Sequence, residues 1–128
     1  MKIREVLTFI DQTRPNAYTD GEKIRWLNII EGRVYNEIFQ KAEGFDREFI
    51  PFQEGEEERE LAVPAPFTEL YHFFLMSRID FFNGDSARYN DTMVLFNNAW
   101  DEFAAYYRER HKPKQTNLTG MIPHGWGW

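Results

Sequence analysis

Cysteine is absent from the 128 residues, which excludes disulfides, thiolate metal sites and cysteine nucleophiles. Histidine is scarce. His72, His111 and His124 are far apart in sequence, so no two of them stand at metal-site spacing. The glycines form neither a G-x-G-x-x-G turn nor a Walker loop, and Ser77 and Ser86 lack a nucleophile-elbow context. No apolar run approaches the length of a membrane span. Met1-Lys2-Ile3-Arg4-Glu5 places an acid where the apolar part of a signal peptide would begin. The expectation is a soluble chain made in the cytosol, so the Asn117-Leu118-Thr119 sequon reads as a chance match. Basic runs are missing apart from Arg108 to Lys114, which Glu109 interrupts. With a formal net charge of −6, the chain lacks the basic stripe by which proteins grip nucleic acid. An acidic surface still suits a pore through which DNA slides without sticking. No enzyme, cofactor or metal is expected.

Aromatic residues, by contrast, are abundant: twelve Phe, six Tyr and four Trp make up 17% of the chain. Such side chains fill cores and also anchor interfaces. This many in a single domain of this length points to a partner surface as well as a core. Their clearest pattern lies between Ser86 and Arg110. There Tyr89, Met93, Phe96, Trp100, Phe103 and Tyr107 alternate steps of four and three, one stripe of a helix.

Three further helices are legible. Ile3, Val6, Leu7 and Ile10 give a short amphipathic helix that Pro15 stops. Thr19 and Glu22 form a capping box, and Tyr18 just before it is placed to staple onto the helix that follows. That helix carries Ile24, Leu27, Ile30, Val34 and Ile38, widened by Trp26 and Ile29, and is expected to run to Lys41 or Ala42, with Gly44 as its stop. Pro66 suits the first turn of a third helix. From Leu70 to Phe82 this helix is apolar nearly all round, the pattern of a central, buried element. Gly84 ends it, Asp85 or Ser86 caps the next, and the short link makes the two antiparallel neighbours.

Residues 45–65 differ in kind. Phe49, Ile50 and Phe52 surround Pro51, and Leu61-Ala62-Val63 precede Pro64. Between them lies an acidic run with Glu54, Glu56, Glu57 and Glu58. This reads as a small β-hairpin or an extended loop. Its acidic tip is a solvated turn, or else a surface facing a channel or an interface. Residues 112–128 read as a flexible tail in which Met121, Ile122, Trp126 and Trp128 are the candidate partner-binding residues. The expected fold is therefore mainly α. A four-helix bundle-like domain over 1–111 carries the hairpin or loop insertion between helices two and three, and an extended tail follows.

Asp80 falls on the nearly all-apolar third helix, and a buried carboxylate needs a partner. Arg78, Arg88 or an indole or phenol donor are the candidates. A catalytic role would need a second carboxylate or base converging on it. His72, on the same helix, reads as a hydrogen-bonded structural histidine, and His111 as favourable charge at a helix end.

Several segments taken together resemble small head–tail connector (adaptor) proteins of tailed bacteriophages and prophages. They are Arg25-Trp26-Leu27-Asn28, Glu31-Gly32-Arg33-Val34, Val63-Pro64-Ala65-Pro66-Phe67 with Leu70-Tyr71, Ile79-Asp80-Phe81, Asn83-Gly84, Tyr89-Asn90 and Phe96-Asn97-Asn98-Ala99-Trp100. The similarity covers residues 1–110 or so. It implies a virion neck protein whose copies form a ring beneath the portal protein, extend the DNA channel and receive the next neck or tail-completion protein. DNA would pass through without specific binding, and no membrane is involved. No catalytic residue, cofactor or metal ligand carries over. The alternative is a small cytosolic helical protein-binding module or regulator of phage or prophage origin.

Overall fold

The structure is a computed structural model and describes residues 1–114. It contains four α-helices, α1 (Ile3–Thr13), α2 (Asp20–Glu37), α3 (Glu69–Phe82) and α4 (Ser86–Arg110), with a 3-10 turn at Phe39–Lys41. The chain is mainly helical, as its periodicity requires. Helix α3 packs against each of the other three. Leu70, Tyr71, Phe74, Leu75 and Ile79 are all buried, so its apolar circumference has a neighbour on every side over most of its length.

Local signals set the helix ends. Glu22 N–H donates to the Thr19 hydroxyl at 3.2 Å and Thr19 N–H to the Glu22 carboxylate at 3.3 Å, a closed capping box. Tyr18 lies edge-on to Trp26, with ring centroids 5.4 Å apart. Asp85, and not Ser86, caps α4 by accepting from Arg88 N–H at 3.1 Å. Between α3 and α4 the chain turns at Gly84, whose φ of 75° favours glycine.

Two helix ends differ from expectation. Helix α2 stops at Glu37, and the chain tightens into the 3-10 turn before reaching Ala42. Helix α3 begins at Glu69, after a turn that includes the cis Ala65–Pro66 bond, so Pro66 is not in its first helical turn.

The hairpin alternative for residues 45–65 does not hold; the segment is an extended loop without a named strand. Its backbone groups are satisfied by helices and side chains. Asn28 of α2 donates to Phe52 C=O at 3.0 Å and accepts from Phe52 N–H at 2.7 Å, taking the place of a neighbouring strand. Ile3 and Arg4 N–H, which have no partner within α1, donate to the carbonyls of Arg59 and Glu57 at 3.0 and 2.8 Å.

Two buried polar clusters fasten the helices. Glu31 of α2 accepts from the Tyr71 phenol at 2.5 Å and from Ala62 N–H at 2.7 Å. Val63 N–H donates to the same phenol at 3.0 Å. Burial raises the Glu31 carboxyl above its usual range, against the pull of these two donors. It pushes the Tyr71 phenol well up, helped by the adjacent carboxylate. In the second cluster Asp80 accepts from Arg14 on one carboxylate oxygen and from the Thr92 hydroxyl, at 2.8 Å, on the other. The partner of Asp80 is thus Arg14 at the end of α1, and not Arg78, Arg88 or an aromatic donor. The carboxylate is fully used in joining α1 and α4 to α3.

Candidate docking surface

Helix α3 carries more phenyl rings than its neighbours can cover. Phe81 and Phe82 lie in the last turn of α3, and each is 55% exposed. They sit in an unbroken line of ring contacts. Tyr18 meets Trp26, Trp26 lies parallel to Phe82 at 5.8 Å, Phe82 meets Phe81 at 5.2 Å, and Phe81 meets Tyr89 of α4 at 5.5 Å. The line crosses from the start of α2, over the end of α3, to the start of α4. A hydrogen bond of 2.8 Å from the Tyr18 hydroxyl to the Asn83 amide oxygen fixes one end of it.

Phe74, Arg78 and Phe82 recur every four residues along one face of α3. Phe74 touches Phe96 of α4 and Phe82 touches Trp26 of α2, so this face looks into the seam between α2 and α4. The Arg78 guanidinium lies over the Phe74 ring, 4.8 Å from its centroid. Its buried Nε has no hydrogen-bond partner among the described residues. Farther along the seam, Arg33 lies over Trp100 at 4.7 Å and Phe96 at 5.8 Å. Ile29 of α2, expected in the core, is exposed instead, as are Val94 and Leu95 of α4.

The α4 stripe is therefore divided in its use. Phe96 and Phe103 are fully buried, whereas Tyr89, Met93, Trp100 and Tyr107 are only half-covered. Helix α4 runs for 25 residues and α3 for 14, so α3 alone cannot shield its partner's whole length.

The acidic loop is folded onto α1. Glu58 accepts from Lys2 at 3.2 Å and from Arg4, and these two cations hold its carboxyl below the usual range. Glu56 accepts from Gln53 N–H at 2.7 Å and pairs with Arg59 at 3.3 Å. Glu57 accepts from Gly55 N–H at 3.2 Å. Glu54 lies against Gly21, at the first turn of α2. Acids gathered at the N-terminal turns of two helices meet the positive ends of their dipoles. The tail residues Met121, Ile122, Trp126 and Trp128 lie outside the described residues.

His72 is held by packing in place of the expected hydrogen bond: it stacks on Phe9 at 4.0 Å, its buried Nε2 has no partner among the described residues, and burial lowers its basicity. His111 stacks on Tyr107 at 3.7 Å at the end of α4. Among the described residues no cluster of three His, Asp or Glu could hold a metal ion, and no helix is long and apolar enough to cross a membrane. Sequence reading missed Phe81 and Phe82 as surface residues. The available signal was the adjacency of two phenylalanines on a helix already apolar all round. Comparison with protein-family models, with curated proteins and with solved structures finds no match to this chain.

Proposed function

We propose that this chain is a structural subunit of a phage head–tail connector, which docks on the portal ring, extends the DNA channel and links it to the tail. The observation that carries this reading is the line of rings from Tyr18 to Tyr89, with two phenyls more than half exposed at its centre. Their contacts within the fold leave each ring 55% exposed. Each phenyl covered by a partner would contribute about 1–2 kcal/mol, and clustered aromatics are what interface centres are built from.

A ring subunit needs two different, complementary faces, because head-to-tail contacts close a ring only when the surfaces differ. The aromatic end of α3 supplies one of them. The resemblance of the sequence to connector proteins supports the same reading, as does a net charge of −6 for a wall past which DNA must move. The place of action is then the virion neck, after synthesis in the host bacterial cytoplasm. The partners are the portal protein, neighbouring copies and the next neck component.

The test is to mix the purified protein with portal rings and image them by electron microscopy. Added density at the exit of the ring, lost in a Phe81→Ser/Phe82→Ser variant, is the expected result. Unchanged rings at saturating protein would refute the connector reading and favour a regulator that binds a protein outside the virion.

A further inference from the structure

At the opposite end of the molecule from Phe81 and Phe82, the end of α4 and the turn after α2 border an open groove of about 710 Å3 with aromatic walls and a rim that includes Glu43, Arg47, Glu60 and His111. Its walls include Tyr35, Phe39, Phe45, Phe103, Tyr106 and Tyr107. The rings form one continuous set: Phe39 lies 4.9 Å from Tyr107, 5.4 Å from Phe45 and 5.2 Å from Tyr35. A second recess of about 210 Å3, lined by Ile38, Lys41 and Pro113 among others, adjoins it and shares Ala42, Tyr107 and His111. The volume of the larger groove lies within the range of sites that hold a ligand of a few rings.

The described chain leaves the fold at the rim of this groove. After α4, Glu43 N–H donates to Lys112 C=O at 2.7 Å and Lys114 N–H donates to Lys41 C=O at 2.8 Å. Ala42 and Pro113 form an antiparallel bridge between these two bonds. Residues 112–114 are thus tied to the stretch 41–43, and Ala42 and Glu43 are themselves groove residues. The sequence that follows, from Gln115 to Trp128, has no Asp, Glu, Lys or Arg and includes Met121, Ile122, Trp126 and Trp128. None of its side chains carries a fixed charge that burial would have to desolvate.

We infer that the groove is the seat of the chain's own Met121–Trp128 segment, in the same molecule. Composition matches site: indoles and aliphatic side chains meet a wall of six aromatic rings. Geometry allows it, because a dozen residues span up to about 40 Å when extended, while the groove begins at the point of exit. Tethering favours the same molecule over a second copy, since a short linker holds its segment at an effective concentration in the millimolar range. The seat would hold the aromatic arm in place until a partner displaced it. The inference stands on the groove and the point of exit, so it does not depend on the connector reading.

The test uses the full chain, a Trp126→Ala/Trp128→Ala variant of it, and a synthetic peptide of residues 121–128 as the probe. The variant's substitutions lie outside the helical domain and leave it free to fold. The expected result is saturable peptide binding to the variant and binding about tenfold weaker to the wild type, whose groove is already filled. A Tyr106→Ala change or, if that fails to fold, Phe45→Ser added to the variant should abolish the binding. Equal affinity for wild type and variant, no binding to either, or binding untouched by the groove substitution would each overturn the inference. Concentration-dependent dimerisation of the wild type that the double tryptophan change removes would overturn occupancy by the same molecule and give the site to a second copy.

Discussion

Arg14 and Asp80 stand 66 positions apart and meet in a part-buried charge pair. The Asp80 side chain is only 2% exposed and that of Arg14 20%. The pair, with Thr92 on the second carboxylate oxygen, closes the end of α1 against both α3 and α4. A buried charge left alone is costly, so each member depends on the other.

Asp80→Ala should therefore destabilise the protein by about 3 kcal/mol, because it strands the Arg14 guanidinium, while the Thr92 hydroxyl keeps the Arg88 carbonyl as acceptor. Asp80→Asn keeps an acceptor and the shape, and should cost less. Urea denaturation with both variants checks the order. Equal stability of Asp80→Ala and wild type would show that the pair contributes nothing to the fold.

Glu31 carries a pH dependence of known sign. Its carboxyl is raised in the folded state above the ordinary 4.5, so holding the ionised form inside the protein costs stability at neutral pH. That cost declines as the pH falls from the raised value towards 4.5. Glu31→Gln has no such term. The wild type should gain stability relative to Glu31→Gln between pH 7.5 and pH 5, measured as the difference between two urea midpoints at each pH. A difference independent of pH would contradict it.

The sign is opposite for His72. Burial depresses its basicity below the ordinary 6.5, so the unfolded chain takes up a proton before the folded one does. Stability present above pH 6.5 is lost as the pH falls through that value towards the lower folded one. His72→Phe retains a ring for Phe9 to stack on and removes the titration. The variant should lose less stability than the wild type between pH 7.5 and pH 5.5 in thermal melts.

Phe81→Ser/Phe82→Ser should leave helical content unchanged and lower stability by about 1 kcal/mol or less per site, as expected for half-exposed positions. Circular dichroism and thermal melts read this directly. A collapse of the fold in this variant would show that the two rings serve the core and not a surface.

What the sequence revealed was what lies close along the chain. Thr19 with Glu22, Asp85 ahead of α4 and Gly84 after α3 act within one helical turn, and their residue types identify them. The apolar periodicity of α1, α2 and α4 and the central place of α3 follow from side-chain spacing alone. Pairings across the chain left no such trace. Nothing in the sequence marks Arg14 as the partner of Asp80, or Asn28 as the residue that holds Phe52. Pro66 suggested a helix start, but the turn at 65–68 places that start at Glu69. Periodicity also overstated the core: Ile29 falls on the right face by count, yet the seam between α2 and α4 leaves it uncovered.

The carbonyls of Glu57 and Arg59 that receive the first amides of α1 bind the fates of two distant stretches of chain. Lifting the loop away would expose the opening turn of that helix to competition from water, and loss of the helix would leave the loop without a donor. The loop in turn is held by Asn28 and Glu31, both on α2. Three segments that touch through few bonds thus melt as one, and amide exchange across them should report a single opening event in place of a gradient from the ends inward.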